Sequence, residues 1–145
     1  MKLPEYVTVN EARRICKELK IRDWTRKKGT NVLPEEARII LSKVNTEKMK
    51  IPLDDFRRGL EVELEHGIMF KDANVTNNHP LLTGKIVLAH LKETMDYYKR
   101  LEVAELEGDL FKATVAGNTK KIKKYFKKLA AAKRILSKSE SDRLS

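Results

Sequence analysis

The stretch that decides the fold runs from GLEVELEHG at residues 59–67 to LAHLKE at residues 88–93. On a helical wheel of 100° per residue, Leu60 and Leu64 fall within one apolar arc of the first segment. The segment finishes at Gly67, and glycine is a common residue just past a helix end. The spacing therefore predicts a helix over about 51–67.

The second segment belongs to a longer helical pattern that is apolar over more than half of the helix circumference. One arc of that pattern is formed by Leu82, Ile86, Ala89, Tyr97, Leu101 and Ala104. A helix that is apolar on so much of its surface packs against several neighbours. We therefore expect a long central helix over about 80–116.

Helical signals also flank this stretch on both sides. Thr8 and Glu11 have the spacing of a capping box and predict a first helix over about 8–20. Pro34 is typical of the first turn of a second helix, and Thr119 opens a last one. No segment alternates as a strand would, so the expected fold is all-α, a bundle of four to five helices. We expect a single domain over 1–136 and a frayed polar C-terminus over 137–145.

The net charge of +10 is spread unevenly along the chain. Residues 119–145 carry ten basic and two acidic residues, a net of +8, whereas residues 1–118 carry twenty-one and nineteen, a net of +2. The imbalance indicates an anionic partner for the C-terminal end. The chain begins without an apolar run, and no stretch of about 18 apolar residues occurs, which indicates a cytoplasmic protein without a transmembrane segment.

Polar side chains stand on the apolar arcs of the central stretch, and they allow two interpretations. Glu63-x-x-His66 has the pattern of helical di-iron proteins, so Glu63, His66, His90 and Glu93 are candidate ligands of a divalent metal, with Asp72 as a further candidate. Alternatively, Glu63, His90, Glu93 and Tyr97 form a buried hydrogen-bonded network that needs no cofactor.

Catalytic patterns are otherwise lacking. Cys16, the single cysteine, falls on the apolar face of the first helix pattern, and no histidine is near it in the sequence. We therefore expect a non-enzymatic protein in which Cys16 is a small core residue; the alternative is a metal-binding protein or metal-dependent enzyme that uses the His/Glu cluster between the third and fourth helices. Trp24 lies in a basic loop, where it either stacks on a nucleic-acid base or folds back over the core.

The last helix pattern has an apolar stripe and a basic side. The stripe is made of Ile122, Tyr125, Phe126, Leu129, Ala132 and Leu136. The basic side is made of Lys120, Lys121, Lys123, Lys124, Lys127, Lys128 and Arg134. Three interpretations fit: a solvated face, a nucleic-acid surface, and a helix on an anionic membrane surface. Because arginine forks are few, any nucleic-acid binding is expected to be sequence-independent. The leading prediction is a binding or structural module that engages nucleic acid or a protein assembly through this helix.

Four segments of the central region also resemble a known family. They are GLEVELEHG at 59–67, NVTN at 74–77, TGKIVLAHLKE at 83–93 and DYYKRL at 96–101. Together they are similar to a small domain family of unknown function that is found in bacterial and viral proteins, with a resemblance over about 34–102. The resemblance implies a small helical domain and supplies no catalytic residues. It is compatible with a phage or virus origin, and so with a virion-associated protein as the alternative to a cytoplasmic one.

Overall fold

The computed structural model describes residue 1 and residues 3–145. Within this part of the chain there are six α-helices, two short 3₁₀ helices and no strand. The α-helices are α1 Val9–Glu18, α2 Pro34–Val44, α3 Leu53–Met69, α4 Pro80–Glu93, α5 Tyr97–Val115 and α6 Thr119–Leu144. The 3₁₀ helices are Trp24–Arg26 and Lys71–Ala73. The all-α prediction is confirmed, and the predicted count of four to five helices is too low.

The count differs because the predicted central helix over 80–116 is two helices, α4 and α5. Thr94 donates its hydroxyl to the carboxylate of Asp96, and the Tyr97 amide donates to the Thr94 carbonyl in a turn. Asp96 is then the N-cap residue of α5. Short polar side chains that bond to nearby groups compete with helical hydrogen bonding, so the chain breaks here without proline or glycine.

The structure divides into two compact units, and the first spans Met1–Glu93. In this N-terminal unit α2, α3 and α4 pack against one another, and α1 packs against α4 and the first 3₁₀ helix. The helices meet through fully buried apolar side chains that include Ile40, Phe56 and Leu60. Cys16 is buried, as its place in the helix pattern predicts.

The second unit, Thr94–Ser145, consists of α5 and α6. Ion pairs Arg100–Glu140 and Glu107–Lys133 advance along the two helices in opposite directions, so the helices are antiparallel. Their shared core contains Leu106, Leu129 and Ala132, with Val103, Leu110 and Tyr125 packed around it.

Two helix ends differ from their predicted positions. The third helix runs to Met69 rather than closing at Gly67. The last helix continues past residue 136, where the sequence predicted fraying to begin, and reaches Leu144. Arg143 lies 3.6 Å from the Asp96 carboxylate, which gives the end of α6 a partner on the other side of the hairpin. The single domain over 1–136 stays a prediction.

Candidate nucleic-acid interface

The basic side of α6 is presented to solvent as the sequence pattern predicts. All seven of its residues are exposed: Lys120, Lys121, Lys123, Lys124, Lys127, Lys128 and Arg134. Lys120, Lys127 and Arg134 are seven residues apart, so they stand along one face at intervals of about 10.5 Å. Asn118 starts the helix by accepting a hydrogen bond from the Lys121 amide at 3.0 Å. We call the seven exposed basic residues listed above, from Lys120 to Arg134, the basic face.

Within the part of the chain that the structure describes, the basic face has no carboxylate at ion-pair distance. Neighbouring cations on the same helix differ in this respect, since Lys138 lies 2.7 Å from Asp142 and Lys133 lies 3.8 Å from Glu107. Carboxylates therefore pair with other cations of α6 and leave its basic face charged. Such a face attracts polyanions.

An exposed aromatic ring adjoins the basic face, and the sequence pattern missed it. Phe126 was predicted to belong to the buried stripe, but 60% of its surface is exposed. The physical reason is its position about 60° from Leu129 on the helical wheel, at the edge of the stripe rather than at its centre. Lys123 precedes Phe126 by three residues, so the two positions are neighbours on the helix surface. The arrangement combines cations with a ring that is free to stack on a base.

The predicted metal ligands are only partly brought together. His90 Nε2 lies 3.5 Å from Glu63 Oε1, with side chains that are 30% and 14% exposed. His66 and Glu93 are both exposed. Among the described residues, no three His, Cys, Asp or Glu side chains form a group that could hold a metal ion. Metal binding stays a prediction.

The predicted buried network is likewise changed by the break after α4. Glu93 is exposed rather than buried, because α4 ends at that residue. Tyr97 begins a separate helix, so it does not continue the helical register of His90 and Glu93. Its ring is half-buried and meets Tyr98 edge-on, with 5.1 Å between the ring centres. The structure contains the Glu63–His90 pair of the predicted network.

A different buried acid, Glu36, organises the start of α2. Its carboxylate accepts from Arg22 at 2.6 and 2.9 Å, from the Leu33 amide at 2.9 Å and from Trp24 Nε1 at 3.3 Å. Burial raises the pKa of Glu36, but hydrogen bonds from Arg22 and Leu33 outweigh it and leave the pKa below its ordinary value. The Trp24 ring is fully buried, so it covers the core and the base-stacking interpretation is wrong.

Two further buried titratable groups were not predicted. His79 precedes α4, and its Nδ1 accepts from the Leu82 amide at 3.3 Å. Burial lowers the pKa of His79, which favours the neutral ring. Asp96 is 2% exposed and is held by two hydrogen bonds from Arg100, at 3.0 and 2.9 Å. Burial raises the pKa of Asp96, but the hydrogen bonds from Arg100 and Thr94 outweigh burial. The pKa therefore lies below its ordinary value, and the carboxylate stays charged.

No helix in the described residues combines the length and the apolar character that crossing a bilayer requires.

Comparison with known families gives one match: residues 12–107 fit the model of a family described as protein of unknown function (DUF5661). The match includes the 34–102 segment and confirms a resemblance to a family of unknown function; an occurrence in bacteria or viruses stays a prediction. It starts within α1 and ends within α5, so α6 lies outside it. No curated protein and no solved structure matches the chain.

Proposed function

We propose that this chain, which belongs to the DUF5661 family of proteins of unknown function, is a non-enzymatic helical module that binds nucleic acid through α6. The observation that carries the proposal is the basic face, whose seven exposed cations have no carboxylate partner among the described residues. A regular row of cations on a rigid helix is suited to following a row of phosphates. Because α6 lies outside the matched residues, the proposal concerns this chain rather than the family.

The chemistry of the basic face indicates how the nucleic acid is recognised. Lysine acts as a point charge, whereas bidentate recognition of guanine or phosphate is typical of arginine. With Arg134 as its only guanidinium, the face recognises charge without reading base sequence. Phe126 adds a surface on which an unpaired base can stack, which favours single strands over duplexes.

The experiment compares how strongly the wild type and two variants are retained on immobilised single-stranded DNA at about 50 mM salt, where phosphate contacts are strong. The test variant replaces Lys123, Lys124, Lys127 and Lys128 with glutamine. We expect the wild type to be retained and the variant to elute in the flow-through with unchanged helical circular dichroism. A matched control carries the same four replacements at exposed lysines outside α6, namely Lys17, Lys43, Lys50 and Lys85.

Two results would contradict the proposal. One is a wild type that is not retained even at low salt, and the other is a control variant that loses retention as completely as the test variant. A second variant, Phe126→Leu, keeps the apolar character but removes the ring. We expect it to weaken binding to single strands more than binding to duplexes, since base stacking needs an unpaired base.

A further inference from the structure

A cleft with a volume of about 500 Å³ opens on the N-terminal unit. It lies between the segment that contains the first 3₁₀ helix and the loop that joins α3 to α4. Four cations line it, Arg26, Lys27, Lys28 and Lys71, and no carboxylate is among its described lining residues. Arg26 also lies 3.5 Å from Asp23, so the positive charge that attracts anions into the cleft comes mainly from the three lysines.

The cations differ in how firmly they are held. Lys27 is half-buried and donates through Nζ to the Asn31 carbonyl. Burial lowers the pKa of Lys27, so a bound anion would stabilise its charged form. Lys28 and Lys71 are exposed. Lys28 belongs to the lining segment that contains the first 3₁₀ helix, and Lys71 belongs to the loop between α3 and α4. The cleft therefore combines one fixed cation with side chains that are able to close on a ligand.

Three amides, Asn74, Asn77 and Asn78, line the same cleft, and the structure holds them in place. Asn77 and Asn78 have φ values of 48° and 58°, a left-handed conformation that is uncommon outside glycine. Asn77 Nδ2 donates to the Val7 carbonyl at 2.6 Å, and Asn78 Nδ2 donates to the Trp24 carbonyl at 3.4 Å. Successive strained residues that are fixed by their surroundings are typical of binding loops.

Gly67 of α3 makes room for this arrangement. A Cβ atom there would lie 2.5 Å from Asn78 Oδ1 and 2.9 Å from Asn74 Nδ2, closer than real Cβ contacts. The absence of a side chain lets Asn74 donate to the Gly67 carbonyl at 3.1 Å and to Asn78 Oδ1 at 2.9 Å. The amide wall is thus fixed to α3 before any ligand binds, which reduces the entropy that binding costs.

We propose that this cleft binds a phosphate monoester of about mononucleotide size. The cations supply charge-assisted hydrogen-bond donors for a phosphate dianion, and the amides hold the wall on which it rests. Val9 and Ile68 provide apolar wall for the organic part of the ligand, and the volume is within the range of small-molecule sites. Val9 also begins α1, so the positive end of that helix adjoins the cleft.

The test adds AMP, adenosine or inorganic phosphate to the full chain. Binding is monitored through the side-chain amide signals of asparagine in nitrogen–proton NMR spectra. We expect AMP and phosphate, but not adenosine, to shift the signals of Asn74, Asn77 and Asn78. The double variant Lys28→Gln, Lys71→Gln should bind AMP at least about tenfold more weakly, since two charge-assisted contacts are lost. The control Lys43→Gln, Lys50→Gln carries the same charge change and should bind as the wild type.

Several results would overturn the inference. Adenosine that shifts the amides as strongly as AMP would show that phosphate is not what the cleft recognises. Amide signals that do not move with about 10 mM AMP would exclude even millimolar affinity. Equal weakening in both lysine variants would assign the effect to overall charge. The quadruple α6 variant should still bind AMP normally, and loss of AMP binding there would move the site to α6; the two proposals therefore fail independently.

Discussion

At the scale of single residues, Glu36 shows how a buried charge becomes acceptable. Its carboxylate is 3% exposed, yet Arg22, Leu33 and Trp24 all donate to it. Removing the carboxylate leaves its buried donors unsatisfied, which costs more than an average hydrogen bond contributes. Glu36 thereby ties the loop that carries Trp24 to the start of α2.

We expect Glu36→Gln to lower the free energy of unfolding by about 1–3 kcal/mol at pH 7, because glutamine cannot accept from every donor. The measurement is urea unfolding followed by the fluorescence of Trp24, the single tryptophan. Glu35→Gln is the control: Glu35 is exposed and lies 3.5 Å from Arg38, so its loss should cost less than about 1 kcal/mol.

The same residue predicts a dependence on pH. The pKa of Glu36 in the folded state lies below its ordinary value of 4.5, so the unfolded chain takes up the proton first as pH falls. Its contribution to stability is complete above pH 4.5 and is lost as pH falls through the folded-state pKa. The difference in stability between wild type and Glu36→Gln should therefore shrink below pH 4.5. A constant difference down to full acid unfolding would contradict this account.

At the scale of helices, glycine has opposite effects in α4 and α5. A Cβ atom at Gly84 would lie 2.5 Å from Ile40 Cγ2 and 3.3 Å from Val44 Cγ1, so α4 and α2 approach closely there. A Cβ atom at Gly108 would meet nothing within 4 Å. The first glycine is required by packing, whereas the second only weakens its helix.

We therefore expect Gly84→Ala to destabilise the N-terminal unit by about 1–3 kcal/mol, because Ile40 and its neighbours must shift. Gly108→Ala should instead stabilise its helix by about 0.5–1 kcal/mol. Trp24 fluorescence reports the first change during urea unfolding, and far-ultraviolet circular dichroism reports the second. Effects of the same sign would mean that helix propensity, rather than the contact with Ile40, governs both positions.

At the scale of the whole molecule, positive charge is concentrated toward one end of the chain. Residues 94–145 carry thirteen basic and seven acidic residues, a net of +6, and residues 1–93 carry eighteen and fourteen, a net of +4. Within the C-terminal unit, the acids are mostly on α5 and the bases mostly on α6. Most of the attraction for a polyanion therefore comes from one helix.

The proposed nucleic-acid binding predicts a dependence on salt, from which the number of phosphates contacted is obtained. For single strands the logarithm of the binding constant falls with the logarithm of salt concentration by about 0.7 per neutralised phosphate. Lys127→Gln, in the middle of the basic face, should reduce the slope by about 0.7, whereas Lys85→Gln on α4 should leave it unchanged. Equal slopes for wild type and Lys127→Gln would remove Lys127 from the interface.

The sequence alone determined the helical class, the helix starts near Val9, Pro34, Pro80 and Thr119, and the exposure of the basic face. Each of these depends on the spacing of residues within a few turns, which helical geometry converts directly into shared faces. The resemblance to a family of unknown function was also visible in the segments of the central region, and residues 12–107 confirm it.

The tertiary structure decided the rest. The break at Thr94 and Asp96 depends on a buried carboxylate whose partners include Arg143, far along the chain. The Glu36 cluster and the amide-lined cleft join side chains from segments distant in sequence, and Glu93 becomes exposed only because α4 ends there. Sequence spacing does not give distances between elements. Those follow from how the elements pack, and packing also selects which polar groups are buried together.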